Sequence, residues 1–180
     1  MTNSLLLSIL SGFAVYNLVM LLSKSIVSAQ IKRRIEKFDQ SACTFIPVIG
    51  LVLFVINIAY LYSEIKITTD PNEGDLLQRI TGPYWYAYWF QYLIYLSPVL
   101  LWIKTLRNYV VLRIFISLII LFPLERIVIY FTSFHRDYQP SNWTMSHLEQ
   151  TINWFWHIGV FCVVAIVFHL IRMMFEKRVE

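Results

Sequence analysis

The chain has 180 residues, 58% of them hydrophobic and 14% charged, with a net charge of +4. A soluble domain carries about 25% charge, so this deficit, together with several apolar runs of about 20 residues, excludes an ordinary soluble domain and indicates a polytopic membrane protein. The positive balance is not that of a nucleic-acid binder, because the lysines and arginines gather at the ends of the apolar runs, where membrane topology accounts for them.

In chain order the runs predict five transmembrane helices, over 5–27, 45–62, 84–104, 110–133 and 153–174. The expected fold is all-α: a single transmembrane helix bundle occupying 1–180. The first run is preceded by the uncharged MTNS and is longer than a signal peptide's apolar core, so it reads as a retained helix. The basic segment IKRRIEKFDQ follows it and reads as a loop. Gly82-Pro83 opens the third run, where a proline costs no helical hydrogen bond. The spans leave two loops on one side, 63–83 and 134–152, and only a tight connection between the third and fourth spans.

Lysine and arginine counts set the expected orientation. Lys24, Lys32, Arg33, Arg34, Lys37, Lys104, Arg107, Arg113, Arg172, Lys177 and Arg178 fall on one side, against Lys66, Arg79 and Arg136 on the other. The eleven mark the cytoplasmic side, which puts the N-terminus in the periplasm and the C-terminus in the cytoplasm. Tyr84, Trp85, Tyr86, Tyr88 and Trp89, with Trp143, Trp154 and Trp156, form the aromatic belt of the external interface. Asn142-Trp143-Thr144 matches the short glycosylation sequon.

The most unusual stretch is 109–137. It is long enough to span a bilayer, yet carries Pro123, Glu125 and Arg126 near its middle. An ionised side chain at that depth costs about 2.5–3.5 kcal/mol on insertion scales. Neighbouring residues on a helix point about 100° apart, so Glu125 and Arg126 need partners from other helices. His157 and Asn57 lie near the same depth, and Glu64 at the external end of the second span. The cluster reads either as a proton relay or quinone-pocket support, or as a buried polar clamp that fixes the bundle. The loop that follows reads as a stable connection between the fourth and fifth spans, capped by charges at the interface, or as a docking site for a periplasmic partner with His135, Arg136, Asp137 and Trp143 as the candidate residues.

Cofactor sites are not evident. Cys43 and Cys162 form no CxxC, so neither a disulfide framework nor a zinc or iron–sulfur site is supported. Among the histidines only His157 and His169 fall in a span, and both are on the same one. A bis-histidine haem takes its two ligands from opposite sides of the ring, so this chain alone is not expected to hold one.

The segments QRITGPYWYAYW (78–89), LLWIKTLR (100–107) and LERIVIYFTSFHRDYQPSNW (124–143) resemble the NrfD-type membrane subunits of the polysulfide reductase family, with the greatest likeness to the quinol-oxidising subunits of bacterial alternative complex III. SGFA (11–14) and AYLYSE (59–64) fit the same branch. The resemblance runs over essentially the whole chain, which corresponds to the C-terminal half of family members. It implies a multi-pass subunit of a quinol-linked respiratory complex in the bacterial cytoplasmic membrane. It also implies that the quinone pocket, associated in the family with the N-terminal bundle, lies elsewhere. This chain is therefore expected to be non-catalytic alone and to bind no cofactor alone, with quinone or quinol held in the assembled complex. Expected partners are lipid, other membrane subunits including a longer NrfD-type chain, and a periplasmic iron–sulfur or multihaem protein. The resemblance assigns Glu125, Arg126, His135, Arg136 and Asp137 to the second-bundle motif. Two alternatives stand beside it: a scaffold or anchor of a cell-envelope assembly without redox chemistry, and a proton-conducting element using Glu125, Arg126 and His157.

Overall fold

Over the described residues the apolar runs form helices; one breaks at Ser97-Pro98, while the helix over Ala29–Ile67 continues through Pro47. The structure is a computed structural model that describes residues 2–23, 29–67, 80–82, 85–122 and 147–179. The described residues are helical almost throughout, with no strand among them. Helix α1 spans Thr2–Ser23 and α2 spans Ala29–Ile67. Next come α3 (Trp85–Leu96), a 3-10 helix (Ser97–Trp102), α4 (Lys104–Asn108) and α5 (Val110–Leu121). Helix α6 covers His147–Val179.

Helix α2 is longer than the span read from the sequence. Its 39 residues extend about 58 Å at 1.5 Å per residue, far beyond the roughly 30 Å of a hydrocarbon core. The segment IKRRIEKFDQ is part of the helix rather than a loop. Its residues are mostly good helix formers, with no glycine or proline to end the turn. The charged segment thus becomes a rigid extension of the apolar one and carries Asp39 into the bundle.

The run read as one span over 84–104 is broken at Ser97. Pro98 has no N–H to donate to the carbonyl of Ile94, four residues earlier. The Ser97 hydroxyl donates to that carbonyl instead, at 2.9 Å. The chain tightens into the 3-10 helix, turns through extended backbone at Ile103, forms the single turn of α4, and turns again at Tyr109. Gly50 of α2 lies directly under this break. A Cβ there would collide with the Tyr95 carbonyl and come within 3.4 Å of the Pro98 ring. At the other end of the 3-10 helix, Trp102 Nε1 donates to the Thr44 carbonyl of α2 at 3.0 Å.

These contacts fix the relative directions. Phe54 meets Tyr92, Gly50 meets Tyr95, and Thr44 meets Trp102, so α2 runs antiparallel to the α3 segment. Phe45 packs on Phe161 and Phe168, and Phe38 on His169, so α2 is antiparallel to α6 as well. Gly12 abuts His157 and Tyr16 abuts Phe161, which makes α1 and α6 parallel. Helix α1 packs against α6, α5 and α2, while α2 also carries the α3 and 3-10 segments.

The core is aromatic. Phe161 is fully buried and meets Phe13 at 5.8 Å, Tyr16 at 5.2 Å and Phe45 at 6.4 Å between ring centroids. Leu10, Ala14, Ile46, Leu53, Ile116 and Ala165 fill the space around it. Helix α1 and α6 approach closely because Gly12 has no side chain: a Cβ there would strike the His157 carbonyl and lie 2.6 Å from Phe161 Cβ.

Among the described residues three helices are long and apolar enough to cross a membrane, through Ser4–Leu22, Arg34–Ile65 and Asn153–Phe175; the apolar Val110–Leu121 is shorter. Their outward faces carry large exposed hydrophobic side chains, as on α6 at Phe155, Trp156, Val163, Ile166, Leu170 and Phe175. Exposed apolar area on that scale suits a lipid surround and not water. The chain is an all-α membrane protein.

Candidate functional site

The most concentrated chemistry among the described residues lies where α1, α2 and α5 converge. Arg113, one turn into α5, is buried, although the lysine and arginine count groups it with the cations of the cytoplasmic end. The reason is its register. Arg113, Ile116, Ser117, Ile120 and Leu121 are all buried and follow the i, i+3, i+4, i+7, i+8 pattern of one helix face. Arg113 therefore turns inward with its apolar neighbours. The orientation count becomes ten against three without it.

A buried guanidinium must be compensated. Asp39 of α2, itself buried, takes a two-pronged hydrogen bond from it: Nη2 donates to Oδ1 at 2.6 Å and Nη1 to Oδ2 at 2.8 Å. Asn17 of α1 accepts from Nε at 2.7 Å and also from Nη2. Four of the guanidinium's five N–H groups are thereby engaged. The Asn17 amide group in turn donates to Ser117 Oγ at 2.7 Å and to the Arg113 carbonyl at 3.1 Å. One arginine thus ties three helices together, in the planar geometry that favours arginine over lysine.

The surroundings are mixed. Cys43 Sγ is 3.9 Å from Asp39 Oδ1. The Tyr16 hydroxyl is buried without a hydrogen-bond partner among the described residues, its ring held by Phe13, Phe38 and Phe161. Across the α2–α6 contact, Ser41 Oγ lies 2.9 Å from His169 Nδ1, and Ser41 also bonds to the Lys37 carbonyl at 3.1 Å. His169 is thus an inter-helix contact. Asn17 lies six residues before the last residue of α1, about 9 Å along the axis. The clamp therefore sits toward the end of the bundle at which α1 and α6 finish and α2 and α5 begin.

Of the residues singled out in the sequence, Glu125 and Arg126 lie outside the described residues, as do His135, Arg136, Asp137 and Trp143. His157 is half-buried on α6, its ring edge-on to Trp154, and its Nδ1 is buried without a partner among the described residues. Asn57 is half-buried and donates to the Leu53 carbonyl of its own helix at 2.8 Å. Glu64 is half-buried near the end of α2. Phe45 opposite Phe161 sets the antiparallel register. From that point Asn57 lies about 18 Å along α2 and His157 about 6 Å along α6 in the same direction, so the two differ in depth by about 12 Å.

Arg113, Asp39, Asn17 and Ser117 were all absent from the sequence-derived candidates. The available signals were a lone arginine three residues inside an apolar run, and a lone asparagine near the middle of another. The arginine reads as a helix-end charge until register is known, and the asparagine alone names no partner.

Among the described residues no group of three or more His, Cys, Asp or Glu side chains is placed to hold a metal ion. The chain matches no protein-family model, no curated protein and no solved structure.

Proposed function

We propose that the chain is an integral membrane subunit of a multisubunit, quinol-linked electron-transfer complex, and that it contributes structure and docking rather than the reacting centre. Its placement would be five spans in the cytoplasmic membrane of a bacterium, with the N-terminus outside. The alternation of helix directions supports a multi-pass arrangement, since α1, α3 and α6 run one way and α2 the other; the outside N-terminus rests on the lysine and arginine count. The redox assignment rests on the likeness of 78–89 and 124–143 to the NrfD-type subunits. The observation that carries the structural part is the clamp. Arg113, Asp39, Asn17 and Ser117 bond to one another across three helices and engage four of the five guanidinium N–H groups, which is what holding a bundle requires.

A deletion strain tests the redox part. Membranes lacking this chain should lose quinol-dependent reduction of the complex's acceptor and regain it on complementation, while other quinol-oxidising activities persist. Unchanged quinol oxidation in the deletion would favour the second reading, a scaffold of a cell-envelope assembly. The inter-helix clamp is equally at home in that reading. Proton conduction through Glu125 and Arg126 with His157 predicts that Glu125→Gln abolishes proton coupling in an assembled complex. Loss of assembly in that variant would instead make Glu125 structural.

A further inference from the structure

The double turn between the 3-10 helix and α5 creates a surface feature that the clamp does not use. Extended backbone at Ile103 and again at Tyr109 brackets the single turn of α4, which has no fully buried residue. An open groove of about 480 Å³ remains, lined by Lys104, Thr105, Asn108, Tyr109 and Val110. The four polar residues are exposed, and among the described residues the lining holds no acidic side chain. A cation, a hydroxyl, a carboxamide and a phenol are thereby gathered where the chain re-enters the apolar layer. Arg107, half-buried on the same turn, adds a second positive charge nearby.

Below the groove the surface changes character at once. Val111, Ile114, Phe115, Leu118 and Phe122 are all exposed, and they repeat at the spacing of a single helix stripe opposite the buried face that carries Arg113. A polar, cationic notch thus sits directly over a continuous apolar strip about 16 Å long. An amphiphile with an anionic head and a long tail matches both parts. A soluble anion would use only the first part, and an apolar helix only the second.

We propose that this groove binds the phosphate headgroup of an anionic phospholipid of the surrounding bilayer, with Lys104 as the ionic contact, Thr105, Asn108 and Tyr109 as hydrogen-bond donors, and an acyl chain lying along the exposed stripe of α5. Basic notches at the ends of membrane helices attract anionic headgroups in this way. The inference needs the membrane placement of α5 and does not depend on the redox reading.

The test uses the full-length chain purified in a neutral detergent and analysed by native mass spectrometry during titration with dioleoyl phosphatidylglycerol, dioleoyl phosphatidylcholine or soluble glycerol phosphate. The first should be retained severalfold more than the second, and the third not at all. Lys104→Gln should lower retention of the anionic lipid about fivefold, Lys104→Arg should keep it, and Lys37→Gln, an exposed cation of the same end on α2, should leave it unchanged. Circular dichroism identifies any variant that fails to fold, and Asn108→Ala then serves as the second probe of the groove. Equal retention of the two lipids, binding of glycerol phosphate as tight as the lipid, or equal losses for Lys104→Gln and Lys37→Gln would overturn the proposal.

Discussion

Arg113→Ala is the most revealing single change. The guanidinium is 3% exposed and engages two acceptor residues on two other helices. Removing it leaves the Asp39 carboxylate buried without its counter-ion, a situation that costs about 3–5 kcal/mol when one partner of a buried pair is lost. The Asn17 carbonyl oxygen loses its donors as well. A single inter-helix hydrogen bond in a membrane bundle is worth much less, about 0.6 kcal/mol on average, so Ser117→Ala should cost that order of energy. The charge effect therefore dominates, and the ordering Arg113→Ala far above Ser117→Ala follows from it. Replacing both partners, as in Asp39→Leu with Arg113→Met, should recover most of the loss, because no unpaired charge then remains. Reversible unfolding in mixed micelles of the parent, Arg113→Met, Asp39→Leu and the double variant closes a double-mutant cycle. The reasoning fails if Arg113→Ala costs less than about 1 kcal/mol, or if the two single losses simply add in the double variant.

Other outcomes follow from the packing. Gly12→Ala should destabilise by about 1–3 kcal/mol, since its Cβ would meet backbone of α6. Gly159→Ala has open space around it and should gain up to about 1 kcal/mol from helix propensity; the same unfolding assay compares the two glycines, and equal effects would contradict the assigned helix contact. Phe161→Ala empties the centre of the aromatic core and should cost about 3–5 kcal/mol. Gly50→Leu should separate α2 from the Tyr95–Pro98 break and free the Trp102 contact with Thr44, seen as a shift in tryptophan emission; an unaltered spectrum would argue against that contact.

What the sequence disclosed was the part governed by hydropathy. Apolar runs long enough to cross a bilayer became helices, and the start predicted at residue 110 coincides with the first residue of α5. What it concealed was governed by register and by local hydrogen bonding. IKRRIEKFDQ looked like a loop because it is charged, yet charge does not stop a helix; its propensity carries α2 straight through it. Pro98 was visible, but only the geometry shows Ser97 supplying the lost donor. Arg113 was counted by side of the membrane, whereas its position on the helix face decides its partner. Asp39 was hidden in the same way, as one acid among several cations. The Glu125–Arg126 pair drew notice because it interrupts an apolar run, a signal that does not depend on knowing the face. Arg113 interrupts one too, but close enough to its end to pass as a topological charge.

The central claim, that this chain is a membrane subunit of a redox assembly, is tested most directly by what it brings with it. The tagged chain should be extracted from native membranes in a mild detergent, its companions identified, and the absorbance of the purified material recorded before and after addition of quinol. The account predicts additional multi-pass subunits together with a haem- or iron–sulfur-containing protein whose spectrum changes on reduction by quinol. Companions without a chromophore, and a spectrum unaltered by quinol, would contradict it.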